Sequence, residues 1–98
     1  MKITKKQNGT ALEVAVEGRL DTMTAPELEA ELGKSMGGAQ SLVLDFNKLE
    51  YISSAGLRVL LSAHKAMSGK DGMKVTNVNE IVQDVFDVTG FSDILTIE

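Results

Sequence analysis

The chain contains no cysteine, no tryptophan and a single proline among its 98 residues. Without cysteine it can form no disulfide, no thiolate metal site and no cysteine nucleophile. His64 is the only imidazole, so we expect neither a bound metal nor a cofactor. One Tyr and three Phe leave few aromatic platforms on which bases or sugars could stack.

Long apolar runs are also missing. No stretch approaches the roughly 18 apolar residues of a membrane span, and the basic start MKITKK lacks the apolar run of a signal peptide. We therefore expect a cytoplasmic monomer with no membrane partner. The formal net charge is −4 and the ten Lys and Arg residues are scattered, which argues against a nucleic-acid partner. Length and a hydrophobic fraction of 43% predict one domain over residues 1–98.

A β-hairpin is predicted at the start of the chain, where Asn8-Gly9 separates residues 3–8 from residues 11–18. The Asn-Gly pair favours the positive φ angles of a tight turn. In the second strand, apolar and charged residues roughly alternate. The residues expected to face the core are Leu12, Val14 and Val16, and those expected to face water are Glu13 and Glu17.

Helical and strand patterns alternate after the hairpin. Residues 24–27, with the sequence TAPE, predict a capping box with an early proline, and the helix should end at Gly33 or at Gly37-Gly38. The short apolar run SLVLDF at 41–46 predicts a strand buried on both faces, followed by a loop over 47–52. A second helix should begin at Ser53-Ser54 and end near Ser68-Gly69.

The last third repeats this scheme. Residues 73–78 predict a strand, Asn79 should cap a third helix that ends at Gly90, and residues 94–97 predict a weak closing strand. The order ββαβαβαβ predicts an α/β fold, with a mixed β-sheet and helices packed mainly on one side.

The segment from Asp45 to Gly56 is the one that points to a function. It joins a strand to a helix, and the free N–H groups at a helix amino terminus attract anions. Ser53 and Ser54 are typical helix caps. A glycine at position 56 makes a helix less stable than alanine would, by about 1 kcal/mol. Its presence therefore indicates that a partner or a neighbouring strand must approach the backbone closely there. Asp21 and Asp45 could contact a partner or satisfy local N–H groups.

Two catalytic interpretations fail on spacing. His64 lies roughly 15 Å from Ser54 along the same predicted helix, which excludes a catalytic triad. The segment GKDG at 69–72 lacks the spacing and the hydroxyl residue of a phosphate-binding P-loop and is predicted to be a turn. We therefore do not expect an enzyme.

The sequence DFNKLEYISSAGLRVL at 45–60 resembles the signature of the STAS domain of bacterial anti-sigma factor antagonists. The resemblance covers nearly the whole chain. GRLD at 18–21, followed by Pro26, is similar to an early turn of that family, and residues 79–91 are similar to its closing helix. Ser53 stands where the family commonly has Asp, and Ala55 where it commonly has a second Ser or Thr.

The resemblance implies a partner-switching protein. In such a family the unphosphorylated antagonist binds an anti-sigma factor that is also a serine kinase, releases a sigma factor and is switched off when the kinase phosphorylates it. A serine phosphatase would reverse the step. The phosphorylated residue implied here is Ser54, with Ser53 as the alternative. The residues expected to bind the partner are Asp21, Ser53, Ser54, Gly56, Leu57 and Arg58.

A second interpretation stays open beside the first. The chain could be a scaffold or a ligand-binding module of the same fold that is never phosphorylated. Ser53 and Ser54 would then act only as a helix cap.

Overall fold

The computed structural model describes residues 1–98 and contains one five-stranded sheet and three α-helices. In chain order the elements are β1 Lys2–Asn8, β2 Ala11–Leu20, α1 Ala25–Ser35, β3 Ser41–Ile52, α2 Ser54–Met67, β4 Gly72–Thr76, α3 Glu80–Thr89 and β5 Thr96–Ile97. Short 3-10 turns follow α1 and α3. The predicted order ββαβαβαβ and the α/β class are confirmed.

The strands lie side by side in the order in which they occur in the chain, so β1 and β5 form the two edges. The β1–β2 pair is antiparallel and the other three pairs are parallel. Asn8 pairs with Ala11, which leaves Gly9 and Thr10 as a two-residue turn, and Gly9 has a φ of 62°. The predicted hairpin and mixed sheet are therefore confirmed.

The core lies between one face of the sheet and the three helices. Alternate residues of the strands point into it, and each helix contributes one apolar face. The buried strand residues are Leu12, Val14 and Val16 of β2, Leu42, Leu44 and Phe46 of β3, and Met73 and Val75 of β4. The opposite face is open to solvent. The prediction that residues 41–46 are buried on both faces was wrong, since Val43 and Asp45 point to this open side and are only half-buried.

Strand β3 continues through the segment for which we predicted a loop. Its pairing with β2 shifts near Asp45, where a bulge leaves both Asn47 and Lys48 exposed, and it then continues to Ile52. This bulge returns Leu49 to the core face, and a second register shift, between Leu49 and Tyr51, does the same for Ile52. The burial of these two side chains holds the polar segment in the sheet. The strand therefore brings Ile52 up to the start of α2.

Other boundaries differ by a few residues. Helix α1 continues past Gly33 and ends at Ser35. In the segment that follows it, the carbonyl oxygens of Met36 and Ala39 accept hydrogen bonds from the Lys70 side chain. Strand β4 ends at Thr76 because Asn77, with a φ of 57°, turns the chain. Strand β5 is limited to two residues, since residues 91–93 form a 3-10 turn instead of leading directly into a strand.

Helix α3 begins and ends as predicted. The Asn79 Oδ1 atom accepts a hydrogen bond of 2.8 Å from the backbone N–H of Val82, and its Nδ2 atom donates one of 2.7 Å to the Leu49 carbonyl. Gly90, with a φ of 82°, ends the helix in the left-handed conformation. None of the three helices has the length and apolar character needed to cross a membrane.

Replacing Asn79 by alanine should destabilise the protein. The Asn79→Ala change removes the cap of α3 and its link to β3, and we expect the free energy of unfolding to fall by about 1–3 kcal/mol. Urea unfolding measures the loss. Asn47→Ala, at an exposed position whose side chain makes no hydrogen bond, is the matched control and should change stability by less than about 0.5 kcal/mol. Equal losses in the two variants would contradict the capping role.

Candidate functional site

The site is built where β3 ends and α2 begins. The backbone N–H of Ser53 donates a hydrogen bond of 2.9 Å to the carbonyl of Leu20, the last residue of β2. This bond holds the two loops that follow β2 and β3 side by side. Ser54 is the first residue of α2 and is exposed, and its hydroxyl makes no hydrogen bond within the protein. A free hydroxyl is thus presented to solvent at a helix amino terminus.

Ser53 occupies the N-cap position of α2 but does not cap it. Its backbone is extended, with φ −101° and ψ 177°, yet its hydroxyl accepts no hydrogen bond from the helix. The Oγ atom is buried and has no hydrogen-bond partner. The expected side-chain cap is therefore absent, and the Ser53 hydroxyl is much less accessible than that of Ser54.

Gly56 is buried because the start of α2 presses against the ends of β2 and β3. A Cβ atom on Gly56 would lie 2.7 Å from Cγ of Leu20 and 2.8 Å from Cγ1 of Ile52. These separations are too short for any real side chain to adopt, so the glycine permits a helix–strand contact. Leu57 also points into the core, with 6% of its surface exposed. Of the two explanations for Gly56, a partner or a neighbouring strand, the structure shows the strand contact. Both Gly56 and Leu57 are buried, so a direct contact of either with a partner stays a prediction.

Asp21 organises the loop that follows β2. Its Oδ1 atom accepts hydrogen bonds of 3.0 Å and 3.2 Å from the backbone N–H groups of Met23 and Thr24. Desolvation would raise the pKa of Asp21, but these backbone bonds, the Thr24 hydroxyl and the charge of Arg19 together lower it below the ordinary value of 3.8. Asp21 therefore keeps its negative charge and has a local structural role.

The predicted capping box at 24–27 does not form. The Thr24 hydroxyl accepts a hydrogen bond from the N–H of Asp21 and donates one to the carbonyl of Arg19, so it is not available to cap α1. The carbonyl of Asp21 instead accepts a hydrogen bond from the N–H of Ala25. The loop is consequently held by its own side-chain contacts and is joined to the first residue of α1 by this backbone bond.

Sequence reasoning missed two exposed side chains in this loop region. Arg19 lies over the ring of Tyr51, with 4.4 Å between its Cζ atom and the ring centroid, and its Nε atom lies 3.8 Å from Asp21. Met23 is 86% exposed at the loop tip. The Arg19–Tyr51 contact depends on the shifted β2–β3 register, which no local pattern in the sequence reveals.

A groove of about 570 Å³ lies between α1 and α2 and reaches Ala55, the residue that follows Ser54. Ala55 and Arg58 line it on the α2 side, and Pro26 and Glu29 on the α1 side. Arg58 is exposed and forms no ion pair, so its guanidinium is free to bind an incoming group. Arg58 lies one turn after Ser54 in α2, and the Ser53–Leu20 hydrogen bond brings the loop of Asp21 beside the start of this helix. Ser54, Arg58 and Asp21 therefore lie at one end of the molecule.

Two other candidates serve the fold locally. The Asp45 Oδ1 atom accepts hydrogen bonds from the N–H of Asn47 and from Nδ2 of Asn77, which joins β3 to the turn after β4. His64 is half-buried in α2, with an Nδ1 atom that is buried and unpartnered. No group of three or more His, Cys, Asp or Glu side chains is arranged to hold a metal ion.

These features define a small α/β domain that presents one serine hydroxyl beside a groove. Residues 2–98 match the family model described as the STAS domain. BtrV of Bordetella bronchiseptica, named as an anti-sigma factor antagonist, is 34% identical over 99 residues, which cover 99% of this chain and 85% of BtrV. The chain belongs to the STAS domain family.

Solved structures agree with this assignment of the fold. An anti-sigma factor antagonist from Mycobacterium paratuberculosis superposes with a TM-score of 0.89 at 23% identity, covering 98% of this chain and 83% of that one. SpoIIAA of Bacillus in its unphosphorylated form superposes with a TM-score of 0.77 at 15% identity, covering 99% of this chain and 87% of SpoIIAA. The phosphorylated form of SpoIIAA superposes with a TM-score of 0.76, also at 15% identity, covering 99% of this chain and 91% of SpoIIAA.

Adding a methyl group at Gly56 should destabilise the domain. Overpacking against Leu20 and Ile52 should outweigh the gain in helix propensity, so we expect Gly56→Ala to lower the free energy of unfolding by about 1–2 kcal/mol. Gly33→Ala is the matched control, since it also lies in a helix but has open space around it. The control should stabilise by about 0.5–1 kcal/mol in urea unfolding. A stabilising Gly56→Ala change would contradict the close contact.

The contribution of Asp21 to stability should depend on pH. Its folded-state pKa is lowered, so the stabilisation is complete above about pH 4 and is lost as the pH falls through the folded-state value. We expect Asp21→Ala to be less stable than the wild type at pH 7 and the difference to shrink toward pH 2. Asp71→Ala, an exposed position without side-chain hydrogen bonds, is the control. Thermal melts across this range measure both, and a difference that grows on acidification would have the wrong sign.

Proposed function

We propose that this chain is an anti-sigma factor antagonist that is switched off by phosphorylation of Ser54. The family and the named relatives support the antagonist role. The exposure of the Ser54 hydroxyl at the start of α2 is the single observation that carries the switch. The partner is an anti-sigma factor that binds the unmodified form and thereby releases its sigma factor.

The docking surface is the end of the domain around Ser54. It contains the exposed Met23, the groove between α1 and α2 and the unpaired guanidinium of Arg58. An apolar side chain and a free cation beside a groove are typical anchors of protein–protein interfaces. Asp21 and Ser53 shape this surface through the two adjoining loops.

Phosphorylation would act locally. It adds a charge of about −1.5 to −2 and three acceptor oxygens at the centre of the docking surface. Because Ser54 is the first residue of α2, the helix dipole favours the added anion by roughly 0.3–1 kcal/mol, and the domain stays folded. The dianion instead opposes acidic or apolar partner groups, so the complex dissociates.

The chemistry needs only an accessible hydroxyl from this chain. The Ser54 oxygen attacks the γ-phosphorus of ATP, the bond to the β-phosphate oxygen breaks, and ADP leaves. The kinase supplies the base, the magnesium and the nucleotide site. We therefore propose that the partner is itself an ATP-dependent serine kinase acting in the cytoplasm, that a serine phosphatase restores the hydroxyl, and that this chain is a monomer without enzymatic activity.

Ser54 is a better acceptor than Ser53. Nucleophilic attack requires the hydroxyl to reach the nucleotide in the kinase, and the Ser53 Oγ atom is buried. The alternative of a constitutive scaffold in which both serines only cap α2 is less well supported, since neither hydroxyl makes a cap bond. It predicts binding that does not respond to a negative charge at Ser54.

Incubation with the partner kinase and ATP tests the switch. We expect one phosphate on Ser54 by mass mapping, no incorporation in Ser54→Ala, and incorporation in Ser53→Ala, because the latter keeps the exposed acceptor. Calorimetry with the kinase should show that phosphorylation, or Ser54→Asp, weakens binding about tenfold or more relative to Ser54→Ala.

Two outcomes would overturn the proposal. One is phosphorylation at another residue while Ser54 stays unmodified. The other is equal binding by Ser54→Asp and Ser54→Ala, which would favour the scaffold.

A further inference from the structure

Helix α3 carries apolar side chains that it does not bury. Ile81 is 60% exposed and Val88 is 87% exposed, and Val85 between them is half-buried. The spacings of four and three residues place these three side chains on one face of the helix. We refer to Ile81, Val85 and Val88 as the α3 stripe.

The two exposed residues of the stripe, Ile81 and Val88, are not explained by the stability of the domain, whereas Val85 also packs against the core. Val82 and Phe86 already supply the core face of α3, and both are fully buried. Ile and Val are poorer helix formers than Ala, Lys or Glu, so exposed positions gain nothing from them. Three of the four most exposed large apolar side chains, Ile81, Val88 and Ile94, lie within residues 81–94. Such clustering, in contrast to scattered apolar residues, is typical of interaction surfaces.

The charge around the stripe has one sign. Residues 75–98 contain five acidic side chains and no Lys, Arg or His, whereas residues 1–74 contain nine acidic and ten Lys or Arg side chains. Glu80 and Asp84 of α3 form no ion pair. Asp87 accepts hydrogen bonds from Ser92 and Gln83, in that order of importance, which lower its pKa and keep it charged. The net negative charge of the protein is therefore concentrated in this segment.

We propose that the α3 stripe binds a partner helix that is amphipathic and basic. A row of apolar residues one turn apart packs into the grooves of a second helix, and Lys or Arg beside the partner's apolar face would pair with Glu80 and Asp84. The acidic surroundings oppose anionic lipid and nucleic acid. This surface shares no residue with the one described around Ser54 and goes beyond the proposed antagonist function.

A synthetic peptide of leucine and lysine, about 14 residues long with its leucines at helical spacing, is a suitable probe. A scrambled peptide of the same composition is its control, because it keeps the charge but loses the apolar face. We expect the amphipathic peptide to shift backbone amide resonances of residues 80–89. We also expect it to bind about tenfold more tightly than the scrambled peptide, with an affinity that falls as salt rises.

Two sets of variants separate the contribution of the apolar α3 stripe to peptide binding from that of the net charge of the protein. The double variant Ile81→Lys/Val88→Lys should weaken peptide binding about tenfold or more, whereas Thr4→Lys/Gln40→Lys, which adds the same charge at exposed positions elsewhere, should weaken it about twofold or less. Glu80→Gln/Asp84→Asn, which preserves the apolar face, should weaken it about threefold to fivefold. Circular dichroism checks that each variant is folded.

The proposal fails if the scrambled peptide binds equally well, or if the shifted resonances lie outside α3. It also fails if sedimentation shows that a second copy of this chain covers the stripe, with self-association lost in Ile81→Lys/Val88→Lys. Ser54→Asp should leave peptide binding within about twofold of the wild type. A negative result here therefore leaves the Ser54 switch untouched, and a failed switch leaves this surface untouched.

Discussion

The close contact between the start of α2 and the ends of β2 and β3 determines how the site is presented. Leu20 takes part in it twice, since its side chain packs against Gly56 and its carbonyl accepts the hydrogen bond from Ser53. Because the helix is seated directly on the sheet, its first residue is left outside the core. A bulkier residue at Gly56 would lift α2 and change the position of Ser54 relative to the loop that Asp21 holds. The exposed hydroxyl is thus a consequence of tight packing beneath it.

Much of the architecture was predictable because it rests on short-range patterns. Alternation in residues 11–18 and the Asn79 cap both act within a few residues of sequence, and the structure confirms them. The continuation of β3 through residues 47–52 was not predictable in this way. That segment is polar enough to indicate a loop, and only two shifts in its pairing with β2, one at Asn47 and one at Glu50, return Leu49 and Ile52 to the core. Bulges depend on pairing with a neighbouring strand, which a local pattern does not contain.

In the candidate site, too, local patterns predicted some features, whereas others depend on tertiary contacts. Sequence reasoning identified the strand–helix junction and the serine pair. It counted Gly56 and Leu57 among the residues expected to bind a partner, with a neighbouring strand as the alternative for Gly56, because a motif does not show which of its residues face inward. It also expected a threonine and a serine to cap helices, whereas Thr24 bonds to its own loop and the Ser53 hydroxyl is enclosed. In each case the tertiary surroundings outweighed the local preference of the side chain.

The two edges of the sheet differ from its centre in a way that bears on how the protein behaves at high concentration. Strand β1 is an outer strand with seven residues, among them exposed lysines at positions 2 and 6, and β5 offers only two residues for pairing. Two copies that approached through β1 would bring like charges together, and β5 is too short to template another chain. Fibrous growth by strand addition is therefore disfavoured at both ends. A regulator of this kind could accumulate to a large excess over its target without polymerising.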